Sequence, residues 1–193
     1  NELIKLRGRG GTGKTIIMLQ TAVQQYRSFG HRTLILTYNV ALVSDIKRTL
    51  YLMGVGSSLE HGGVLVKTVM SFLYTVFSEV GVTDSDADTF EASYLQGCKE
   101  FKKLLDNGAL TKKDIGDLFL SRSDDSVFDF VMIDEAQDCP QEEVEVLAQL
   151  FEQKRLVIAD GVDQMLRTTR SSWGGRGALP KTIALKKCLR MKS

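Results

Sequence analysis

The residues Gly8-Arg9-Gly10-Gly11-Thr12-Gly13-Lys14-Thr15 have the types and spacing of a loop that wraps phosphates, G-x-x-x-x-G-K-[ST]. Glycines let such a backbone turn tightly and aim its N–H groups inward, and the N-terminus of a following helix adds a field that favours anions. Lys14 supplies a mobile point charge for the β and γ phosphates, and the Thr15 hydroxyl is a ligand for Mg²⁺. Gly8, Gly10, Gly11, Thr12, Gly13, Lys14 and Thr15 are therefore candidate nucleotide-binding residues. Far downstream, VMIDEAQD at Val131–Asp138 ends an apolar run in two adjacent carboxylates. Asp134 suits a metal held through water, and Glu135 a base that takes a proton from an attacking water. An acidic strand end is common by itself. Paired with a phosphate loop, it describes Mg²⁺-dependent hydrolysis of ATP, with Thr15 and Asp134 on the metal and Glu135 and Lys14 in catalysis.

Those residues need a strand before each cluster and a helix after the loop, and the patterning supplies both. Leu3–Arg7 is a short apolar-rich run ending at glycine, and from Lys14 to Phe29 apolar residues recur at nearly helical spacing before Gly30. Thr33–Thr37 reads as a second buried strand, Val40–Met53 as a helix stopped by Gly54, Val64–Val66 as a strand and Met70–Phe77 as a helix. The regular pattern then loosens. Phe90–Leu105 and Lys113–Leu120 read as helices within an inserted, mainly helical segment over 79–126. Val127–Ile133 enters the acidic cluster, a helix follows over Gln141–Phe151, and Arg155–Ala159 and Thr182–Leu185 read as further strands. Alternating strands and helices predict an α/β domain of the P-loop (RecA-like) kind, formed by 1–78 and 127–193, with a mostly parallel sheet covered on both faces. Parallel neighbouring strands would bring the acidic cluster beside the glycine loop.

The composition, 43% hydrophobic and 25% charged, is that of an ordinary soluble globular protein, and no apolar run approaches the roughly 18 residues of a membrane span. No signal peptide is visible, which together with the thiols below points to the cytoplasm, or the nucleus if the source is eukaryotic. The chain lacks an initiator Met and reads as an excerpt of a larger protein. Cys98, Cys139 and Cys188 form no CxxC pair and read as incidental thiols in a reducing compartment, and His31 and His61 stand alone. Charge is uneven: residues 79 to 129 hold twelve acidic and six basic side chains, leaving 19 basic and 12 acidic for the remainder. A mildly basic remainder fits a phosphate-rich partner, and equally a solvated surface.

DEAQD after an apolar strand, together with GRGGTGKT, resembles superfamily 1 helicases of the UvrD/Rep/PcrA-like type, and other segments follow in that family's order. LILTYNVALVSDI, Leu34–Ile46, looks like motif Ia, and VKTVMSFLY, Val66–Tyr74, is similar to motif Ib. VIADGVDQMLRTTR, Val157–Arg170, resembles motif III, and LKKCLRM, Leu185–Met191, is in register with motif IV. The resemblance implies that Gln164 and Arg190 act on the γ-phosphate and that Gln137 contacts the nucleotide. It also implies single-stranded nucleic acid along the Ia and Ib segments, with DNA favoured over RNA, and a second motor domain elsewhere in the same protein. The inserted segment stands where the family carries its domain 1B, and is short for one. Motif III departs from the pattern: Asp160 precedes Gln164 by four residues rather than three, and Thr169 replaces an aromatic that stacks on a base. Base stacking is worth roughly 1–3 kcal/mol, so grip would weaken unless Trp173 or Tyr38 substitutes, and a core role for either aromatic is equally open.

Two functions fit these residues. One is an ATP-driven helicase or translocase motor domain, slow or inactive as an isolated fragment because groups from the second motor domain are absent. The other is a P-loop ATPase acting as a switch or sensor in a larger assembly, without unwinding.

Overall fold

Thr33–Thr37 is buried at every position, which is what a central parallel strand covered on both faces requires. A computed structural model describes residues 3–56, 63–82, 87–111, 114, 128–151, 153–161, 173 and 180–186. Its strands are β1 (Ile4–Gly8), β2 (Thr33–Thr37), β3 (Val64–Thr68), β4 (Phe130–Ile133), β5 (Leu156–Gly161) and β6 (Lys181–Leu185). They form one sheet in the order β3-β2-β4-β5-β1-β6, with every pairing parallel. The helices are α1 (Lys14–Phe29), α2 (Val40–Leu52), α3 (Val69–Glu79), α4 (Ala87–Asp106) and α5 (Gln141–Leu150). The expected α/β class is the observed one, and the sheet is parallel throughout.

Period-2 alternation sorts each strand between two cores. Leu34, Leu36, Val131, Ile133, Leu156 and Ile158 face α3, α4 and α5, while Ile35, Met132 and Ala159 face α1 and α2. On the first face the rings of Phe77 and Phe101 lie 5.0 Å apart and those of Phe77 and Tyr94 6.3 Å apart. Full burial of such a ring contributes on the order of 2–3 kcal/mol. Thus α4, from the segment read as inserted, packs into the core beside α5. Lys99–Glu142 at 3.6 Å and Lys102–Glu145 at 3.0 Å line its solvent side. Cys98 is buried there, its thiol pushed up to about 12 by loss of solvent and by Glu143, so it is inert. Cys139 is also a buried free thiol, His31 stacks on Phe29, and Cys188 and His61 lie outside the described residues.

Helix ends follow local chemistry. Gly30, in the left-handed region, closes α1 with its N–H on Tyr26 O at 2.8 Å. Asn39 and Thr68 cap α2 and α3 through their side-chain oxygens, accepting from Ala41 N at 2.8 Å and Ser71 N at 3.1 Å. The expected helix over Lys113–Leu120 lies almost entirely outside the described residues. Among those described, no helix is long and apolar enough to cross a membrane.

One expectation needs correction. β1 and β4, which carry the two clusters, are not neighbours, because β5 lies between them and pairs with both. The clusters still meet, since the glycine loop and the start of α1 reach across the end of β5.

Candidate nucleotide site

The loop after β1 turns on glycines in the left-handed region, Gly11 at φ 77° and Gly13 at φ 83°, the second being the residue from which α1 starts. Gly8 is required for a different reason: a Cβ there would lie 2.5 Å from Thr12 Oγ1 and 3.1 Å from Leu185 Cβ on β6. Thr12 is buried, and its hydroxyl donates to Arg9 O at 2.8 Å, closing the loop on itself. Lys14 is also buried and folds back, its Nζ donating to Gly8 O at 3.1 Å and Arg9 O at 3.4 Å. Gly10 and Gly11 form the exposed rim.

Across the end of β5, the Thr15 hydroxyl donates to Asp134 Oδ2 at 2.5 Å, joining residues 119 apart in sequence. Asp134 is only 1% exposed. Burial raises its carboxyl above the ordinary value, against the Thr15 hydrogen bond, which lowers it, and the neighbouring charge of Glu135 adds to the rise. A desolvated carboxylate beside a hydroxyl is a place where a hard cation would relieve an unfavourable charge. The residues therefore fit Mg²⁺, which takes one or two protein oxygens and fills its octahedron with water and phosphate.

The acidic turn has a feature with no sequence signal. Glu135 is in the left-handed region, φ 51° and ψ 43°, alone among the described non-glycine residues in having positive φ. Such a backbone costs on the order of 1–3 kcal/mol unless its surroundings enforce it. Here Glu135 N donates to Asp134 Oδ1 at 3.0 Å, and Asp138 N donates to Glu135 O at 2.9 Å. The conformation directs the Glu135 side chain toward β5, where Gln137 Nε2 donates to its Oε2 at 2.6 Å and Gly161 N donates to Gln137 Oε1 at 2.9 Å.

Lys14, Thr15, Asp134 and Glu135 are thus gathered at one edge of the sheet. No family model and no curated protein matches the chain. Among solved structures it is similar to the Pif1 helicase from Candida albicans, at TM-score 0.52 and 15% identity, over 97% of this chain and 36% of that one. The shared feature is the fold, a parallel α/β sheet of the RecA-like kind. The chain spans about a third of the length of that helicase.

Within this fold, Trp173 is 8% exposed and its indole Nε1 donates to Ala136 O at 3.0 Å, so it serves the core beneath the acidic turn and offers no free face to a base. Tyr38 is half-buried against the same core. Asp160 forms an ion pair with Lys5 on β1 at 2.6 Å. On the Ib segment Lys67 is held below its ordinary value by burial first and by Lys47 second, and its Nζ lies 3.5 Å from Thr75 Oγ1. Gln164, Thr169, Arg170 and Arg190 lie outside the described residues.

Proposed function

We propose that this chain is the first motor domain of a superfamily 1 helicase or translocase, of the UvrD/Rep/PcrA-like type to which its motifs are similar. In this reading it couples Mg²⁺–ATP hydrolysis to movement on single-stranded nucleic acid. The observation that carries the proposal is the bond of the Thr15 hydroxyl to buried Asp134, which joins a phosphate loop to an acidic strand end. Lys14 exchanges the carbonyls of Gly8 and Arg9 for the β and γ phosphates, while the loop N–H groups and the start of α1 hold the remaining phosphate charge. Thr15 and Asp134 would hold Mg²⁺, which supplies charge neutralisation on the phosphates. Glu135 accepts the proton of the attacking water, and Gln164 and Arg190 complete the contacts to the γ-phosphate. A second motor domain contributes the remaining cationic groups, and the Ia and Ib segments carry the strand, with DNA favoured over RNA. The inserted segment 79–126 takes the place of a 1B-like domain.

The test is Glu135→Gln in the full-length protein. Amide substitution removes basicity at nearly constant volume, so hydrolysis stimulated by single-stranded DNA should fall by roughly 10²–10⁴ while binding of a nonhydrolysable ATP analogue with Mg²⁺ persists. Wild-type hydrolysis in the variant would show that Glu135 is not the base. A wild-type protein whose ATPase ignores nucleic acid at low salt would favour the switch ATPase instead.

A further inference from the structure

We propose that Gln137 is a positioning residue for Glu135, tying the carboxylate to the C-terminal end of β5, rather than a contact to the nucleotide. The inference rests on the reading of Glu135 as the base. Its first support is the chemistry of a single amide between two partners. The Gly161 N–H can only donate and the Glu135 carboxylate, when ionised, can only accept, so Gln137 must turn its oxygen to Gly161 and its NH₂ to Glu135. The distances, 2.9 Å and 2.6 Å, leave both bonds made. No other uncharged side chain of that length both accepts and donates through one rigid plane.

The second support is the space at Gly161. This glycine lies in register with Gly8 of β1, and its φ does not demand glycine. A Cβ there would instead stand 3.3 Å from Gln137 Nε2 and 3.5 Å from Glu135 Oε2. A methyl at this position would press on the hydrogen-bonded pair, tightly at the amide and at ordinary contact distance at the carboxylate. The third is the left-handed backbone of Glu135, which turns the side chain to meet Gln137 two residues on. Backbone, amide and glycine agree on one placement of the carboxylate. Because the far partner belongs to β5, a displacement of that strand's end relative to the acidic turn carries the base with it.

The experiment uses the full-length protein with Gln137→Met, which keeps length and removes both hydrogen bonds, and Gly161→Ala, which crowds the pair and leaves both residues in place. Misplacing a catalytic group by about 1 Å costs on the order of 10² in rate, so Gln137→Met should lower kcat by about that factor. KM for ATP and the calorimetric affinity for a Mg²⁺-bound nonhydrolysable analogue should stay within about threefold of wild type. Gly161→Ala should lower kcat in the same direction. In Glu135→Gln/Gln137→Met the loss should be no greater than in Glu135→Gln alone, within about twofold, because the amide acts through the carboxylate. Independently of turnover, hydrogen exchange at the Gly161 amide should quicken in Gln137→Met. Weakened analogue binding with kcat retained would make Gln137 a nucleotide contact and overturn the proposal, as would fully multiplicative losses in the double variant. Wild-type hydrolysis by Glu135→Gln alone would instead remove the reading on which it rests, whatever the Gly161 exchange shows.

Discussion

The two loops that meet at the sheet's C-terminal edge differ in how far away their supports lie. The phosphate loop is held locally, by Thr12 on Arg9 and by Lys14 on the carbonyls of Gly8 and Arg9, all within seven positions of chain. The acidic turn has short-range bonds of its own within Asp134–Asp138, but it is also held from a distance, by Thr15, by Gly161 through Gln137 and by Trp173 through Ala136. On the proposed function, a loop whose lysine changes partners when phosphate arrives is best closed by bonds it can trade. On the same proposal, a base and a metal-holding carboxylate must keep their places, and bonds from separate elements give that rigidity.

The contrast is broken most severely by Lys14→Ala. Removal of the charge that faces the β and γ phosphates should weaken ATP binding by at least about 100-fold, near 2.7 kcal/mol, with the fold intact. Calorimetry with a nonhydrolysable analogue measures it, and equal affinity would show that the loop does not bind through its lysine.

Much of this was legible in residue types. The glycine loop, the extents of α1 and β2, and the carboxylate pair all lie where glycine spacing, helical period and apolar runs put them, because each depends on neighbours in sequence. The placement of β5 between β1 and β4 was not legible, since parallel strands of similar composition carry no mark of their order. Nor was the left-handed Glu135, because a carboxylate side chain gives no local reason for positive φ and the bonds that enforce it come from Asp134 and Asp138 after folding. Gln137 reads equally as a ligand contact until Gly161 is seen opposite it. Asn39 and Thr68, within segments that resemble nucleic-acid motifs, turn out to spend their side chains on helix caps.

A smaller effect sharpens the long-range half of the comparison. Trp173→Phe keeps an aromatic ring and deletes the N–H that serves Ala136 O, leaving a buried acceptor without that donor. One such hydrogen bond contributes about 0.5–1.5 kcal/mol net, which chemical denaturation would detect as a lower midpoint at unchanged slope. An unchanged midpoint would mean that the bond contributes nothing to holding the turn.

The smallest effect should run the other way. Asp134 has a folded-state pKa raised by burial, so the folded protein holds its proton more tightly than the unfolded chain does. Stability from this group is complete below the unfolded value of about 3.9 and is lost as pH rises through the raised folded value. Asp134→Asn removes that cost, and its amide can still accept from Glu135 N and donate to the Thr15 hydroxyl. The nucleotide-free variant should therefore melt slightly above wild type at neutral pH, with the gap closing in acid. A variant that melts lower at pH 7 would show that the charge is stabilised without a cation, and addition of Mg²⁺ with ATP should reverse the order of the two proteins.

Trp173 is the chain's one tryptophan, and it stands in a single described environment, buried with its N–H on the carbonyl of the residue after Glu135. Indole emission depends on the polarity and hydrogen bonding around the ring, so the indole fluorescence of this chain, as distinct from that of its five tyrosines, comes from one known address. It is an optical gauge fixed beneath the acidic turn, and any rearrangement there is written in its colour and lifetime without a label being attached.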